Sequence, residues 1–550
     1  MIAVLLILLM ILWISGANLR VYRQARFYQI EEYMSLRYLR WLLAARDRWF
    51  PNRAAGAWFI GSIMTFVLAE SPGSPLPAIL GILAAGVAIT PPSETEIKKK
   101  FRATPRARRL LGVAFTLVTI IGLGLFFLLN MMGLPDRFLS LIISTLGFTV
   151  FIAAPLALPL ANLLLYPVEA ALRARFIQRA RTTLAQVNPV VIGITGSYGK
   201  TTTKTILAHL LNGRYHAYPT PKSYNTLMGI CIAINNDIAN DNRVEYFIAE
   251  MGAYVPGEIK RICDLTHPRI SIVIEVGPQH LERFGSLENT ATAKYEIIKA
   301  LPADGVGIFN WDNPYVRTML ERGYPATRLA ISTTTDPSTV QNGVPRFVAS
   351  DITESLHGLV FTVTDTLTHE VQSFSTPLVG AHNVTNILLA TAVAVHEGVP
   401  FSEVAFRVRT LHPPESRLVR ETTPNGITII NDAYSANPVG AISALKVLSL
   451  HTSGRRLLIT PGMVELGAMM ESENRKLGVA AAAHATEVIL VGSKQTIPIN
   501  EGLVSAGFPA EHLHVVETLA EAIDWYQRNL TTGDSVLFLN DLPDTYSASK

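Results

Sequence analysis

The chain has 550 residues, of which 49% are apolar and only 16% charged, against about 25% charged in an ordinary soluble domain. This excludes a disordered chain, a collagen-like repeat and a small disulfide scaffold, and the two cysteines, Cys231 and Cys263, suit a reducing compartment. The net charge of +4 hides a split, because residues 1–185 hold 20 Lys/Arg against 8 Asp/Glu and the remainder hold 27 against 35, a pattern that does not fit a nucleic-acid binder.

Five apolar runs precede residue 170: Met1–Ala17, Ala54–Ala69, Leu76–Thr90, Leu110–Met132 and Phe138–Tyr166. The fourth and fifth reach the ~20 residues that cross a bilayer. The second and third are short and joined by Ser71-Pro-Gly-Ser-Pro75, which predicts a tight helical hairpin that spans or re-enters the membrane. A soluble core does not stack five uncharged runs in one stretch. The linkers set the orientation. Eight arginines lie from Arg20 to Arg53, seven Lys/Arg from Lys98 to Arg109, and four arginines from Arg173 to Arg181. The connections around Gly73 and Asp136-Arg137 carry almost no positive charge. Positive loops stay cytoplasmic, so the N-terminus is expected outside and everything after Arg173 inside, whether or not the hairpin crosses. A cleaved signal peptide is the rival reading of Met1–Ala17, but no Lys or Arg precedes that run. Between Arg20 and Phe50 arginines alternate with Tyr22, Phe27, Tyr28, Tyr33, Tyr38, Trp41 and Trp49. Such a segment suits the headgroup boundary, as a plain anchor or as a surface that meets a lipid-linked substrate.

The pattern changes near Asn188. Val190–Ile194 is a β-branched run, followed by Thr195-Gly-Ser-Tyr-Gly-Lys-Thr-Thr-Thr203 and a helical pattern to Leu211. Strand, glycine loop and helix form a phosphate cradle. Glycines admit backbone N–H groups to the phosphates, Lys200 neutralises the β/γ oxygens, and the Thr201 hydroxyl suits Mg²⁺. The loop is a shortened form, Gly196-x-x-Gly199-Lys200-Thr201, since Ile194 stands where the strict pattern has glycine. Phe247–Gly252 predicts a strand ending at Glu250, where a metal-binding carboxylate would sit. Ser271–Val276 and Gly305–Asn310 predict further buried strands, and Ala291–Ile298 a helix carrying Lys294. This βαβ alternation predicts a mostly parallel sheet with ligands at the strand ends.

These residues resemble the Mur ligase family, the ATP-dependent amide ligases of peptidoglycan synthesis, and most nearly its MurF branch, over roughly residues 188–535. The motifs are Gly193-Ile-Thr-Gly-Ser-Tyr-Gly-Lys-Thr-Thr202, Glu250-Met-Gly252 with Gly257-Glu-Ile259, and His280-Leu-Glu-Arg-Phe-Gly285. Gly380-Ala-His-Asn-Val-Thr-Asn386, Ser416-Arg417, Asn431-Asp-Ala-Tyr-Ser-Ala-Asn437 and Met463-Val-Glu-Leu-Gly467 follow in order. The apolar runs make residues 1–185 a membrane region, and beyond it the resemblance implies an α/β central P-loop ATPase domain (186–414) and an α/β Rossmann-like C-terminal domain (415–550). It implies ATP held by Gly196, Ser197, Tyr198, Gly199, Lys200, Thr201, Thr202, Asn383, Asn386, Arg417 and Asp432. Two Mg²⁺ ions would be bound by Thr201, Glu250, His280 and a carbamylated Lys294. The catalytic set would be Lys200, Glu250, His280, Lys294 and Arg417. Asn383 and Asn386 would read adenine edges, Arg417 would reach the γ-phosphate, and Asp432 would accept from the ribose hydroxyls.

The implied reaction is ADP-forming ligation, through an acyl phosphate, of D-alanyl-D-alanine or a similar amine to a muramoyl-peptide carboxylate. The donor is either soluble or lipid-linked. Three departures bear on the substrates. Membrane segments stand where the branch has a UDP-holding domain, Pro461-Gly-Met-Val-Glu-Leu-Gly467 lacks the family's aspartate, and Leu539-Asn-Asp-Leu-Pro-Asp544 replaces a Lys-Gly-Ser-Arg motif. The alternatives are a membrane ligase of lipid-linked or polymeric substrates, like MurT or a poly-γ-glutamate synthase, and a membrane P-loop ATPase without ligase activity. The expected location is the inner membrane, multi-pass, with the catalytic domains in the cytoplasm and no nucleic-acid partner.

Overall fold

The computed structural model describes residues 1–31, 33–68, 74–90, 101–434 and 436–540. Outside the described residues lie 71–73 of the expected hairpin turn, 98–100 of the second basic segment, Ser435, and 541–544 of the departing motif. The chain divides into two compact units, one reaching Ala174 and the other running from Arg175 to Leu542.

Three helical stretches among the described residues are long and apolar enough to cross a membrane: Ile2–Ile30, Pro105–Met131 and Phe138–Val187, the last running past Ala174 into the second unit. The five expected apolar segments reduce to three of that length. The other two are helices of 17 residues (Asn52–Leu68) and 14 residues (Leu76–Ile89), short of the ~20 a span takes. They pack on each other as the hairpin reading requires. At Gly61 a Cβ would lie 2.3 Å from the Ala84 Cβ, so only glycine permits the approach. The first run does not stop at Ala17 but continues as helix through Arg20, Arg23 and Arg26. The arginine–aromatic segment then folds back. The buried Arg20 guanidinium donates to the carbonyls of Phe151 (2.9 Å), Arg48 (3.2 Å) and Trp49 (2.7 Å). Tyr28 and Tyr38 are fully buried and meet edge to face at 5.0 Å, and Phe27 stacks on Trp41 at 4.2 Å. Carbonyls replace the water that the guanidinium loses, and the rings supply apolar area in fixed geometry.

The second unit contains two sheets. In the central one, β1 (Val190–Thr195), β2 (Ala217–Pro219), β3 (Tyr246–Glu250), β4 (Ile270–Val273), β5 (Val306–Asn310) and β6 (Thr327–Ser332) run parallel. The strand β7 (Phe347–Ser355) pairs parallel to β6, and β8 (Gly358–Asp365) and β9 (Glu370–Thr376) add antiparallel. The order among the described residues is 2-3-1-4-5-6-7-8-9. The chain leaves β1 to one side and returns on the other, so a crevice opens at the end of β1, where such sheets bind ligands. Ile192, Ile194 and Ile248 pack with Leu207 and Ile387, while Val191, Phe247 and Ala249 pack with Ile230 and Ile297. Alternation along each strand thus fills both faces of the sheet.

The sequence predicts a strand to Val276, but β4 ends at Val273. Beyond it the chain bonds to the glycine loop instead, with Ile274 N–H donating to Thr195 O (2.9 Å) and Ser197 N–H to Glu275 O (2.7 Å). The second sheet comprises β10 (Val419–Thr422), β11 (Thr428–Asp432), β12 (Arg456–Thr460), β13 (Glu487–Val491), β14 (Leu513–Val516) and β15 (Ser535–Leu539). Its order is 10-11-15-12-13-14, parallel except for the edge strand β10. This is a Rossmann-like arrangement.

Candidate active site

The glycine loop follows β1 and opens the helix Lys200–Leu211. Gly199 has φ +78°, and a Cβ there would lie 2.5 Å from Asn386 Oδ1, so both conformation and space demand glycine. The Lys200 ammonium folds back over the loop and donates to Gly196 O (2.6 Å) and Ser197 O (3.2 Å). Burial lowers its pKa to about 8, an effect that nearby Glu250 opposes and Arg417 reinforces. The Ser197 hydroxyl is stapled to the Gly277 backbone, donating to its carbonyl (3.0 Å) and accepting from its N–H (2.9 Å). The Tyr198 ring lies against the same glycine, and Thr202 is half-buried in the first helical turn.

Glu250 ends β3 almost fully buried. Its Oε2 accepts from Thr201 Oγ1 (3.0 Å) and from Lys204 Nζ (2.9 Å), and its Oε1 from Asn225 Nδ2 (3.3 Å). Sequence reading missed Lys204 and Asn225. The signal for Lys204 was present, because it lies four residues after Lys200 and therefore on the same helix face. The side chains of Lys204 and Glu250 are 3% and 2% exposed. Their pairing leaves neither charge stranded.

Lys294, on the helix Leu287–Lys299, is 4% exposed, and its Nζ has no hydrogen-bond partner among the described residues. Burial, reinforced by the Lys200 charge, pushes its pKa well below the ordinary lysine value. His280 precedes the short helix Leu281–Phe284 with φ +54°. Its Nδ1 is hydrogen-bonded to the carboxylate of Glu465, and its ring meets Tyr254 edge to face at 4.7 Å. Burial lowers its pKa, with Glu465 opposing.

Arg417 stacks on Tyr434 at 4.3 Å, between Ser416 (φ +56°) and Leu418 (φ +50°). Its charge reaches Lys200, His382 and Asp432. Burial raises the Asp432 pKa to about 6, with Arg417 and the Leu418 N–H opposing. Burial, with Arg417, lowers that of His382 to about 4, and its Nδ1 lies 2.9 Å from Ser443 Oγ. Asn383 and Asn386 are engaged by the protein. Asn383 donates to Val379 O (2.7 Å), and Asn386 donates to Asn383 Oδ1 (3.0 Å) and accepts from Thr203 (3.1 Å). Their observed contacts brace the loop helix.

Lys200, Thr201, Glu250, His280, Lys294 and Arg417 therefore gather around the loop at the end of β1. Thr201 and Glu250 offer the oxygen donors that Mg²⁺ takes when phosphates and water complete its shell. No cluster of three or more His, Cys, Asp or Glu that could hold a metal ion occurs among the described residues.

Fold and site together define a phosphate-loop α/β domain joined to a second, Rossmann-like domain. Residues 194–394 match the Mur ligase middle domain and residues 416–540 the Mur ligase glutamate ligase domain. The UDP-N-acetylmuramoyl-tripeptide–D-alanyl-D-alanine ligase of Bacillus subtilis strain 168 is 28% identical over 362 residues, covering 66% of this chain and 75% of that one. Its counterpart in Mycobacterium bovis is 30% identical over 385 residues, covering 66% and 71%. The crystal structure of Thermotoga maritima MurF with ADP superposes with a TM-score of 0.58 at 23% identity, covering 67% of this chain and 80% of that one. The chain belongs to the Mur ligase family.

Proposed function

We propose that the chain is an ATP-dependent, ADP-forming amide ligase of peptidoglycan precursor synthesis, joining D-alanyl-D-alanine or a similar amine to a muramoyl-peptide carboxylate. The observation that carries this reading is the convergence of Lys200, Thr201 and Glu250 at the end of β1, in a chain 30% identical to a D-alanyl-D-alanine-adding ligase. The donor carboxylate attacks the γ-phosphorus of ATP, ADP leaves, and an acyl phosphate forms. The amine then attacks the acyl carbon, phosphate departs and the amine sheds a proton. The protein positions the reactants and neutralises charge on the transferring oxygens. Lys200 and the loop N–H groups hold the phosphates, and Arg417 brings a second cation from the C-terminal domain. On this reading Asp432 accepts from the ribose hydroxyls and Asn383 and Asn386 would read adenine edges, for which their amides must exchange the present bonds to Val379, to each other and to Thr203. Mg²⁺, held by Thr201 and Glu250 with His280 and Lys294 nearby, supplies further charge neutralisation when bound.

Lys294 is a carbamylation site on this reading. Burial and the Lys200 charge lower the pKa of its amine; the unprotonated amine is nucleophilic toward CO₂, the addition releases one proton, and the resulting carbamate would offer a metal an anionic oxygen. On this reading the chain comprises a membrane region to residue 185, a central domain to 414 and a C-terminal domain beyond. Three apolar helices with basic connections anchor the chain in the inner membrane and leave the catalytic domains in the cytoplasm.

The test is ADP release by the full-length protein in lipid with D-alanyl-D-alanine and either UDP-muramoyl tripeptide or the lipid-linked muramoyl peptide. Amine-dependent ADP release with either donor is expected, and the faster donor identifies the physiological one. ATP hydrolysis that ignores both donors and the amine would refute the ligase reading.

A further inference from the structure

The loop Pro461–Gly467 of the C-terminal domain reaches the central domain at His280. The Glu465 carboxylate hydrogen-bonds His280 Nδ1, and its other oxygen lies 3.8 Å from the Arg283 guanidinium, which stacks on Tyr254 at 4.3 Å. The seat is close and shaped. Leu466 and Met463 are buried, and Gly467, at φ +56°, approaches so tightly that a Cβ would lie 3.2 Å from Glu282 N. Glu465 and His280 both hold left-handed backbone conformations, φ +61° and +54°. Non-glycine residues keep such a conformation only where the surroundings enforce it.

We propose that Glu465 is a positioning residue that turns His280 toward the metal. With Nδ1–H donating to the carboxylate, the ring is locked in one orientation and one tautomer. The Nε2 lone pair is then left for an ion beside Thr201 and Glu250. Because Glu465 arrives on the C-terminal domain, His280 is correctly held only while that domain is seated on the central one. Seating therefore completes the metal site as well as delivering Arg417. This inference rests on the reading of His280 as a metal ligand.

The experiment titrates Mn²⁺, read by electron paramagnetic resonance, into the full-length protein saturated with ADP, with no turnover. Glu465→Ala is expected to weaken Mn²⁺ binding about 10- to 100-fold at an unchanged thermal midpoint. Glu465→Gln keeps an acceptor for Nδ1–H and is expected to recover most of that loss. Gly467→Ala retains the carboxylate but lifts the loop, and is expected to weaken binding in the same direction. Mn²⁺ affinity within twofold of wild type in Glu465→Ala overturns the proposal, as does a Gln variant no better than Ala. The His280→Ala variant separates the two layers. If it loses affinity while Glu465→Ala does not, His280 remains a ligand and only the positioning role fails. If it keeps full affinity, the ligand reading falls and the proposal with it.

Discussion

Arg20 in the helical unit and Lys294 in the catalytic unit are both buried cations in type, yet their surroundings differ. Three backbone carbonyls accept from Arg20, so its charge is compensated and its work is to tie the returning segment down. Lys294 has no acceptor among the described residues and feels the charge of Lys200. Burial and that charge both disfavour its charged form relative to water. Lys204 is the intermediate case, a buried ammonium matched by one buried carboxylate. A compensated cation is structural, whereas an uncompensated one beside a phosphate loop is poised for chemistry.

The largest effects should come from the phosphate loop. Lys200→Ala is expected to cut ADP formation by at least about 10³-fold, in the range of a lost transition-state donor. Glu250→Gln should be comparably inactive while keeping an acceptor for Lys204. Glu250→Ala strands that ammonium and should also cost about 3–5 kcal/mol of stability, read as a lower denaturant midpoint. A folded, active Glu250→Ala would show the pair to be ordinary.

Lys294→Ala separates the cations next. It should lose about 10²-fold in rate, the scale of a displaced metal-site group, and added acetate should restore part of it. Full activity without any additive would place Lys294 with Arg20 among structural cations.

A smaller, graded effect is expected at Asp432. Its carboxyl titrates near pH 6 in the fold against 3.8 for a free aspartate. Between those values the native state holds a proton that the unfolded chain has released. Its contribution to stability therefore declines as pH rises through that window and is constant above it. If Asp432 is the proposed ribose partner, its ionised form is the better acceptor, so KM for ATP should rise as pH falls below 6. Asp432→Asn should flatten that limb of the KM profile.

The smallest catalytic effect is expected at Arg20. Arg20→Met leaves buried carbonyls without a donor and should cost about 1–3 kcal/mol, seen as a lower thermal midpoint in nanodiscs. ADP formation should stay within twofold of wild type. A large rate loss would mean that this cation is more than a structural tie.

Much of this was legible along the chain. Apolar runs, the β-branched strand before Gly196 and the spacing Gly196-x-x-Gly199-Lys200-Thr201 are local patterns. A phosphate cradle is itself local, made by one strand, one turn and one helix. Motif order carried the family and singled out Glu250, His280, Lys294 and Arg417, which the fold brings to the phosphate loop. Tertiary structure alone decided how each group is charged and held. Lys204 and Asn225 reach Glu250 from 46 and 25 residues away in sequence, and Glu465 reaches His280 from 185 away. The early end of β4 and the engagement of Asn386 with Thr203 are equally non-local. Residue type sets what a side chain is able to do. Desolvation and the partner across the fold set which of those states it occupies, and both arise only when distant segments pack.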